Sequence, residues 1–74
     1  MKIRIYWYAN GETKTDTTTE DSIESAYTEL KRIDTYANVW PEGTKEGLFS
    51  WRPNQDYTLK MFTKHMNDIA SRGL

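Results

Sequence analysis

His65 is the chain's one histidine and the first residue to consider for catalysis. Asp68 follows three residues later, so a helix would place both side chains on one face. We expect a boundary histidine bonded to a nearby acceptor, because His65 flanks an apolar helical stripe. The sequence has no cysteine nucleophile and no phosphate-binding loop, GxSxG, HExxH or CxxC motif. These features predict a protein without catalysis and without a cofactor.

Acidic residues cluster between residues 12 and 29, where six carboxylates accompany one lysine. Several of them fall near the start of a predicted helix, where the positive end of the helix dipole stabilises negative charge. Helix chemistry therefore explains much of the cluster, and a glycosidase-like carboxylate pair has no support. Because the chain has one histidine and no cysteine, we expect no transition-metal site.

Alternating residues give the first predicted strand two chemically different faces. The face expected to meet the core carries Ile3, Ile5 and Trp7. The opposite face carries Arg4, Tyr6 and Tyr8. Arginine and tyrosine on a flat sheet are typical anchors for a protein partner, and tyrosines can also stack on unpaired bases. Packing of the tyrosines on threonines of a neighbouring strand is the structural alternative.

Two further aromatic residues are candidates for the same role. Within residues 35–40, Tyr36 and Trp40 share one face, opposite Ala37 and Val39. Two short helices cannot easily bury three tryptophans, so we expect at least one to reach the surface, and Trp40 is our choice. The predicted partner-binding residues are Arg4, Tyr6, Tyr8, Tyr36 and Trp40.

A hairpin should position the first of these residues. Residues 2–9 are the clearest strand, and Asn10-Gly11 is a strong hairpin signal because both positions of a tight turn need positive φ. A two-residue loop would place Tyr6 opposite Thr15. Residues 12–18 are rich in threonine and polar on both faces, which is typical of an edge strand.

Two helices are predicted from the spacing of apolar residues. The first covers residues 20–33, with Thr19 as its N-cap. The second covers residues 56–72, although alternation within 57–62 leaves a strand as the alternative there. The stripe of the second helix consists of Leu59, Phe62, Met66, Ile69 and Ala70. Four apolar positions of the first helix recur in the second at an offset of 36 residues, as a ββα–ββα plan would produce.

Residues 35–40 and 48–52 predict a second hairpin, which completes a ββαββα order. The predicted fold is α+β, a four-stranded antiparallel sheet with two helices on one face. We expect one domain over residues 1–74, because so short a chain seldom holds two cores. The expected core contains Ile5, Trp7, Ile23, Leu30, Phe62, Met66 and Ile69.

Composition limits the setting and the partners. A net charge of −1 argues against a strongly acidic DNA mimic and against a basic duplex binder. The absence of cysteine favours a reducing, cytoplasmic setting. No stretch approaches the roughly 18 apolar residues that a membrane helix needs, so no membrane partner is predicted.

The C-terminal segment carries a resemblance to a known class of protein. Residues 65–72, His-Met-Asn-Asp-Ile-Ala-Ser-Arg, resemble the C-terminal helix of small phage anti-CRISPR proteins, in which a Met-Asn-acid-Ile run precedes Ser-Arg. The short, cysteine-free, aromatic-rich α+β chain is also similar to phage-encoded inhibitors of host machinery. The resemblance implies stoichiometric binding to a host protein or complex without catalysis. The strands do not align with that family, so no functional residue is transferred.

The sequence is compatible with three functions. The favoured one is a non-enzymatic binder or inhibitor of a host protein or defence complex. The alternative is a single-stranded nucleic-acid binder that uses the open aromatic face of the sheet. A structural or assembly subunit that associates through the threonine-rich edge strand is the third.

Overall fold

The structure is a computed structural model that describes residues 1–8, 15–44 and 47–72. The elements follow the chain as β1 (Ile3–Tyr8), β2 (Thr15–Glu20), α1 (Ile23–Ile33), β3 (Ala37–Pro41), β4 (Phe49–Trp51) and α2 (Leu59–Arg72). The predicted α+β class and the ββαββα order are confirmed.

The four strands form one antiparallel sheet in the order β2-β1-β3-β4. β1 and β3 are its central strands, and Tyr6 of β1 pairs with Asn38 of β3. Asn38 in turn pairs with Ser50 of β4. β2 lies at one edge, as its polar sequence predicts, and the three-residue strand β4 lies at the other.

The pairing of β1 with β2 differs from the predicted register by two residues. A two-residue loop at Asn10-Gly11 would place Tyr6 opposite Thr15, but Tyr6 pairs with Thr17. Side chains alternate along a strand with a period of two, so this shift leaves every predicted face unchanged. The Asn10-Gly11 turn itself lies outside the described residues.

α1 begins at Ile23, three residues later than predicted, because Ser22 rather than Thr19 is its N-cap. The Ser22 hydroxyl accepts a hydrogen bond from the Ser25 backbone N–H at 3.0 Å. The Ser25 hydroxyl accepts one from the Ser22 backbone N–H at 3.3 Å, which completes a capping box. Glu20 consequently ends β2 instead of opening the helix.

We expect Ser22→Ala to lower the free energy of unfolding by about 1 kcal/mol, because the N-terminal N–H groups of α1 lose their side-chain acceptor. Urea denaturation followed by circular dichroism measures the change. The control is Ser71→Ala, an exposed change in the last turn of α2, which should stay within about 0.5 kcal/mol of wild type. Equal stability of Ser22→Ala and wild type would contradict the capping role.

α2 begins at Leu59, three residues later than predicted, and its helical structure excludes the alternative strand over residues 57–62. The Thr58 hydroxyl accepts from the Met61 backbone N–H at 3.1 Å, and the Thr58 carbonyl accepts from Phe62 N–H at 3.0 Å. The first residues of α1 and α2 stand at the predicted offset of 36 residues. The first residue and the buried positions of α1 therefore recur in α2 with the same spacing.

Both helices pack on the same face of the sheet, where the core lies. The sheet contributes five buried hydrophobic residues, Ile3, Ile5, Ala37, Val39 and Trp51, and the helices contribute Ala26, Leu30, Phe62, Met66 and Ile69. Trp7 and Ile23, also predicted for the core, are half-buried, and Leu59 is 38% exposed. These three residues lie at or next to the ends of their elements.

Candidate functional site

Packing of both helices on one side leaves the opposite side of the sheet uncovered by described residues. We call this surface the outer face. Its side chains alternate with the buried ones along β1 and β3. They come from the central strands and both edges: Arg4, Tyr6, Tyr8, Thr17, Thr19, Asn38, Trp40 and Ser50.

A shallow groove of about 450 Å³ crosses one end of the outer face. We call it the tyrosine groove. It is lined by side chains from β1, β3, β4 and their flanking residues: Tyr6, Tyr8, Tyr36, Asn38, Ser50 and Arg52, with Ala37 and Trp51 completing the lining. The volume lies within the range of about 300–1,000 Å³ that is typical of ligand sites.

Two of the aromatic side chains that line this groove are exposed. Tyr36 is 61% exposed and Tyr8 is 49% exposed, whereas Tyr6 is half-buried. The rings of Tyr6 and Tyr8 meet edge to face, with centroids 6.4 Å apart and an interplanar angle of 73°. Edge-to-face contacts of this kind are favourable between aromatic rings. Tyr27, by contrast, donates its hydroxyl hydrogen bond to the Tyr57 carbonyl and serves the fold.

Arg4 and Trp40 lie at the other end of the outer face, directly opposite one another on β1 and β3. Tyr8 is four positions after Arg4, which corresponds to about 13 Å along a strand. Arg4 Nη1 lies 3.8 Å from Glu42 Oε2. Trp40 is half-buried, so it is less exposed than our choice of it as a surface tryptophan implied. The structure thus places three of the five predicted residues in the groove and two away from it.

The groove also contains residues that the sequence analysis did not assign to a site: Asn38, Ser50 and Arg52. Alternation does place Ser50 and Arg52 on the face of β4 opposite Phe49 and Trp51. β3 pairs with both β1 and β4, so this face of β4 lies on the same side of the sheet as the tyrosines of β1. Strand order is a long-range property, and local spacing carries no signal for it.

His65 lies on the exposed side of α2, with its ring centroid 4.8 Å from that of Phe49. It borders a second depression with Asp68, Ser71 and Arg72. Arg72 directs its Nε to the Asp68 carbonyl at 3.3 Å, so this contact belongs to the helix itself. Within residues 1–8, 15–44 and 47–72, no group of three histidine, cysteine or acidic side chains could hold a metal ion. In the same ranges, every helix is too short or too polar to cross a membrane.

No protein-family model, curated protein or solved structure matches this chain. The resemblance of residues 65–72 to phage anti-CRISPR proteins therefore stays a prediction. The geometry and chemistry of the outer face carry the functional argument.

Proposed function

We propose that this protein is a non-enzymatic binder of another protein and that the tyrosine groove is the centre of its interface. The observation that carries the proposal is that Tyr8 and Tyr36, the two most exposed aromatic side chains described, line the same groove. Covering such rings removes a large apolar area from water, while their hydroxyls stay available for hydrogen bonds. Tyrosine and arginine are also the residue types enriched among interface hot spots.

The proposed partner is a host protein or defence complex. The protein would inhibit it by stoichiometric binding in the host cytoplasm. The resemblance of residues 65–72 to phage anti-CRISPR proteins supports the inhibitory role. The cysteine-free composition supports a reducing compartment.

Single substitutions in the groove test this function. Tyr8→Ala and Tyr36→Ala should each weaken partner binding by about 1–3 kcal/mol, because each removes an aromatic ring from the interface centre. Stability should change little, since both side chains are exposed. The partner is first captured from nuclease-treated host lysate, and its dissociation constants for wild type and variants are then measured by calorimetry.

Two controls lie on the helical side of the molecule. Leu59→Ala removes a side chain that is 38% exposed, and His65→Ala removes the candidate catalytic group. Both variants should bind the captured partner as wild type does. If the tyrosine variants bind the partner normally and Leu59→Ala does not bind it, the interface lies on the helices and not on the outer face. Loss of all biological activity in a folded His65→Ala protein would instead favour an enzyme.

The alternative function uses the same rings for stacking on unpaired bases. Stacking contributes about 1–3 kcal/mol per base, and phosphate contacts make such binding strongly salt-dependent. We expect no measurable binding of an oligothymidylate at about 0.15 M salt, where charges act over about 8 Å. Micromolar binding that Tyr6→Ala abolishes would favour the nucleic-acid function. A dimer or larger assembly in light scattering would favour the third possibility, association through β2.

A further inference from the structure

Arg52 gives the tyrosine groove a positive charge that no described residue balances. It is exposed and follows the last residue of β4. The described residues form two ion pairs, Arg4 with Glu42 and Arg32 with Glu29, and neither involves Arg52. None of the described residues that line the groove carries a carboxylate.

Among the described residues, no acid near Arg52 in sequence or pairing forms an ion pair with it. Asp56, four residues after Arg52, is exposed and is not part of the groove lining. Asp34 Oδ1 accepts a hydrogen bond from the Asn54 backbone N–H at 3.2 Å. Asp16 and Glu20 pair with Trp7 and Ile3, which belong to the side of the sheet that meets the helices. Asp16 and Glu20 of β2 therefore do not neutralise the groove from the outer face.

We infer that the groove recognises an extended protein segment in which one aspartate or glutamate adjoins an apolar side chain. The carboxylate pairs with the Arg52 guanidinium, and the apolar side chain lies against the rings of Tyr8 and Tyr36. A planar guanidinium binds a carboxylate through two parallel N–H···O bonds, which fixes the orientation of the segment. This inference rests on the proposed function, because it names the chemistry of the partner at the same site.

A single cation favours a carboxylate over a nucleic-acid backbone. A single strand presents a phosphate at every nucleotide, and its binding draws on several cations along the groove. Arg52 is the one cation among the described residues that line the groove, and Arg4, at the other end of the outer face, already faces Glu42. One acidic side chain would complete the charge balance that the described residues leave open.

Peptide selection tests the inference without knowledge of the natural partner. Random dodecapeptides displayed on phage are selected on wild type and counter-selected on the Tyr8→Ala/Tyr36→Ala double variant. The enriched peptides should carry an acidic residue beside an apolar one. Arg52→Glu should weaken their binding at least about tenfold in fluorescence polarisation. Exchange of the peptide's acid for lysine should restore binding to Arg52→Glu. The matched control is Lys64→Glu, an exposed charge reversal on α2, which should bind as wild type.

The outcomes separate this inference from the proposed function. If the selected peptides need the tyrosines but lack an acidic residue and bind Arg52→Glu as well as wild type, the groove does not recognise a carboxylate. That result would still agree with the proposed protein-binding function. A selection in which no peptide depends on the tyrosines would contradict both. If wild type binds oligothymidylate at about 0.15 M salt and Arg52→Glu abolishes that binding, the ligand of the groove is nucleic acid and not an acidic protein segment. Amide NMR spectra of each variant confirm that the fold is intact.

Discussion

Trp51→Ala is expected to lower the free energy of unfolding by about 3–5 kcal/mol, enough to unfold much of the protein. Trp51 is 2% exposed and lies at the centre of an aromatic cluster. Its ring centroid lies 4.6 Å from that of Tyr57, 5.8 Å from Phe62 and 6.0 Å from Tyr27. Truncation removes these contacts and leaves a cavity between β4 and the helices, which the surrounding rings can fill only in part.

Urea denaturation followed by far-ultraviolet circular dichroism measures this loss without relying on tryptophan fluorescence. The matched control is Trp40→Ala, because Trp40 is half-buried on the outer face and supports no helix. Trp40→Ala should lower the free energy of unfolding clearly less than Trp51→Ala does. Equal costs, or a neutral Trp51→Ala, would show that β4 does not pack beneath the helices.

Leu30→Ala should cost about 2–5 kcal/mol, because Leu30 is fully buried where α1 packs on the core. A chain of 74 residues has a total stability of about 4–11 kcal/mol, so this loss is a large fraction of it. Thermal and urea unfolding should both show the change. Leu48→Ala makes the same chemical change at a side chain that is 52% exposed, and should cost less than about 0.5 kcal/mol.

The two leucine variants also test the orientation of α1. If Leu30→Ala unfolds at the wild-type temperature, α1 packs through another face. If Leu48→Ala destabilises as much as Leu30→Ala, the region before β4 is covered rather than exposed. Either result would change the assignment of the outer face, since that face is defined by what the helices leave uncovered.

The stability of the core bears directly on the proposed interface. Tyr6 and Tyr8 stand on β1, whose alternate residues Ile3 and Ile5 are fully buried. Binding residues on the central strands of a packed sheet hold their positions more closely than residues on a loop. Destabilised core variants should therefore lose binding in proportion to their unfolded fraction, whereas Tyr8→Ala should lose binding while folded.

The sequence by itself determined the order of the elements and the side of β1 that faces the core. Alternation over β1 separates Ile3 and Ile5 from Tyr6 and Tyr8, and the structure keeps that separation. The helical period that continues through Ile69 correctly favoured α2 over a strand. These properties depend on residues a few positions apart, and such spacing is visible in a linear sequence.

The tertiary structure decided where β2 ends and α1 begins. Thr19 and Ser22 are both good N-caps, so local chemistry does not choose between them. Pairing with β1 continues through Thr19 and Glu20, which holds both residues in the strand and leaves Ser22 to cap the helix. The predicted start of α1 was three residues too early for this reason. The predicted register of β1 with β2 was also wrong, by two residues.

The tertiary structure also decided the composition of the candidate site. Alternation alone put Tyr6 and Tyr8 on a shared face, but it could not bring Tyr36 and Arg52 beside them. Their meeting depends on β3 lying between β1 and β4, and β3 pairs with β1 across 30 to 38 positions of the chain. Hydrogen bonds between backbones make that pairing, and backbones are alike in every residue, so the order of strands follows from packing of the whole chain.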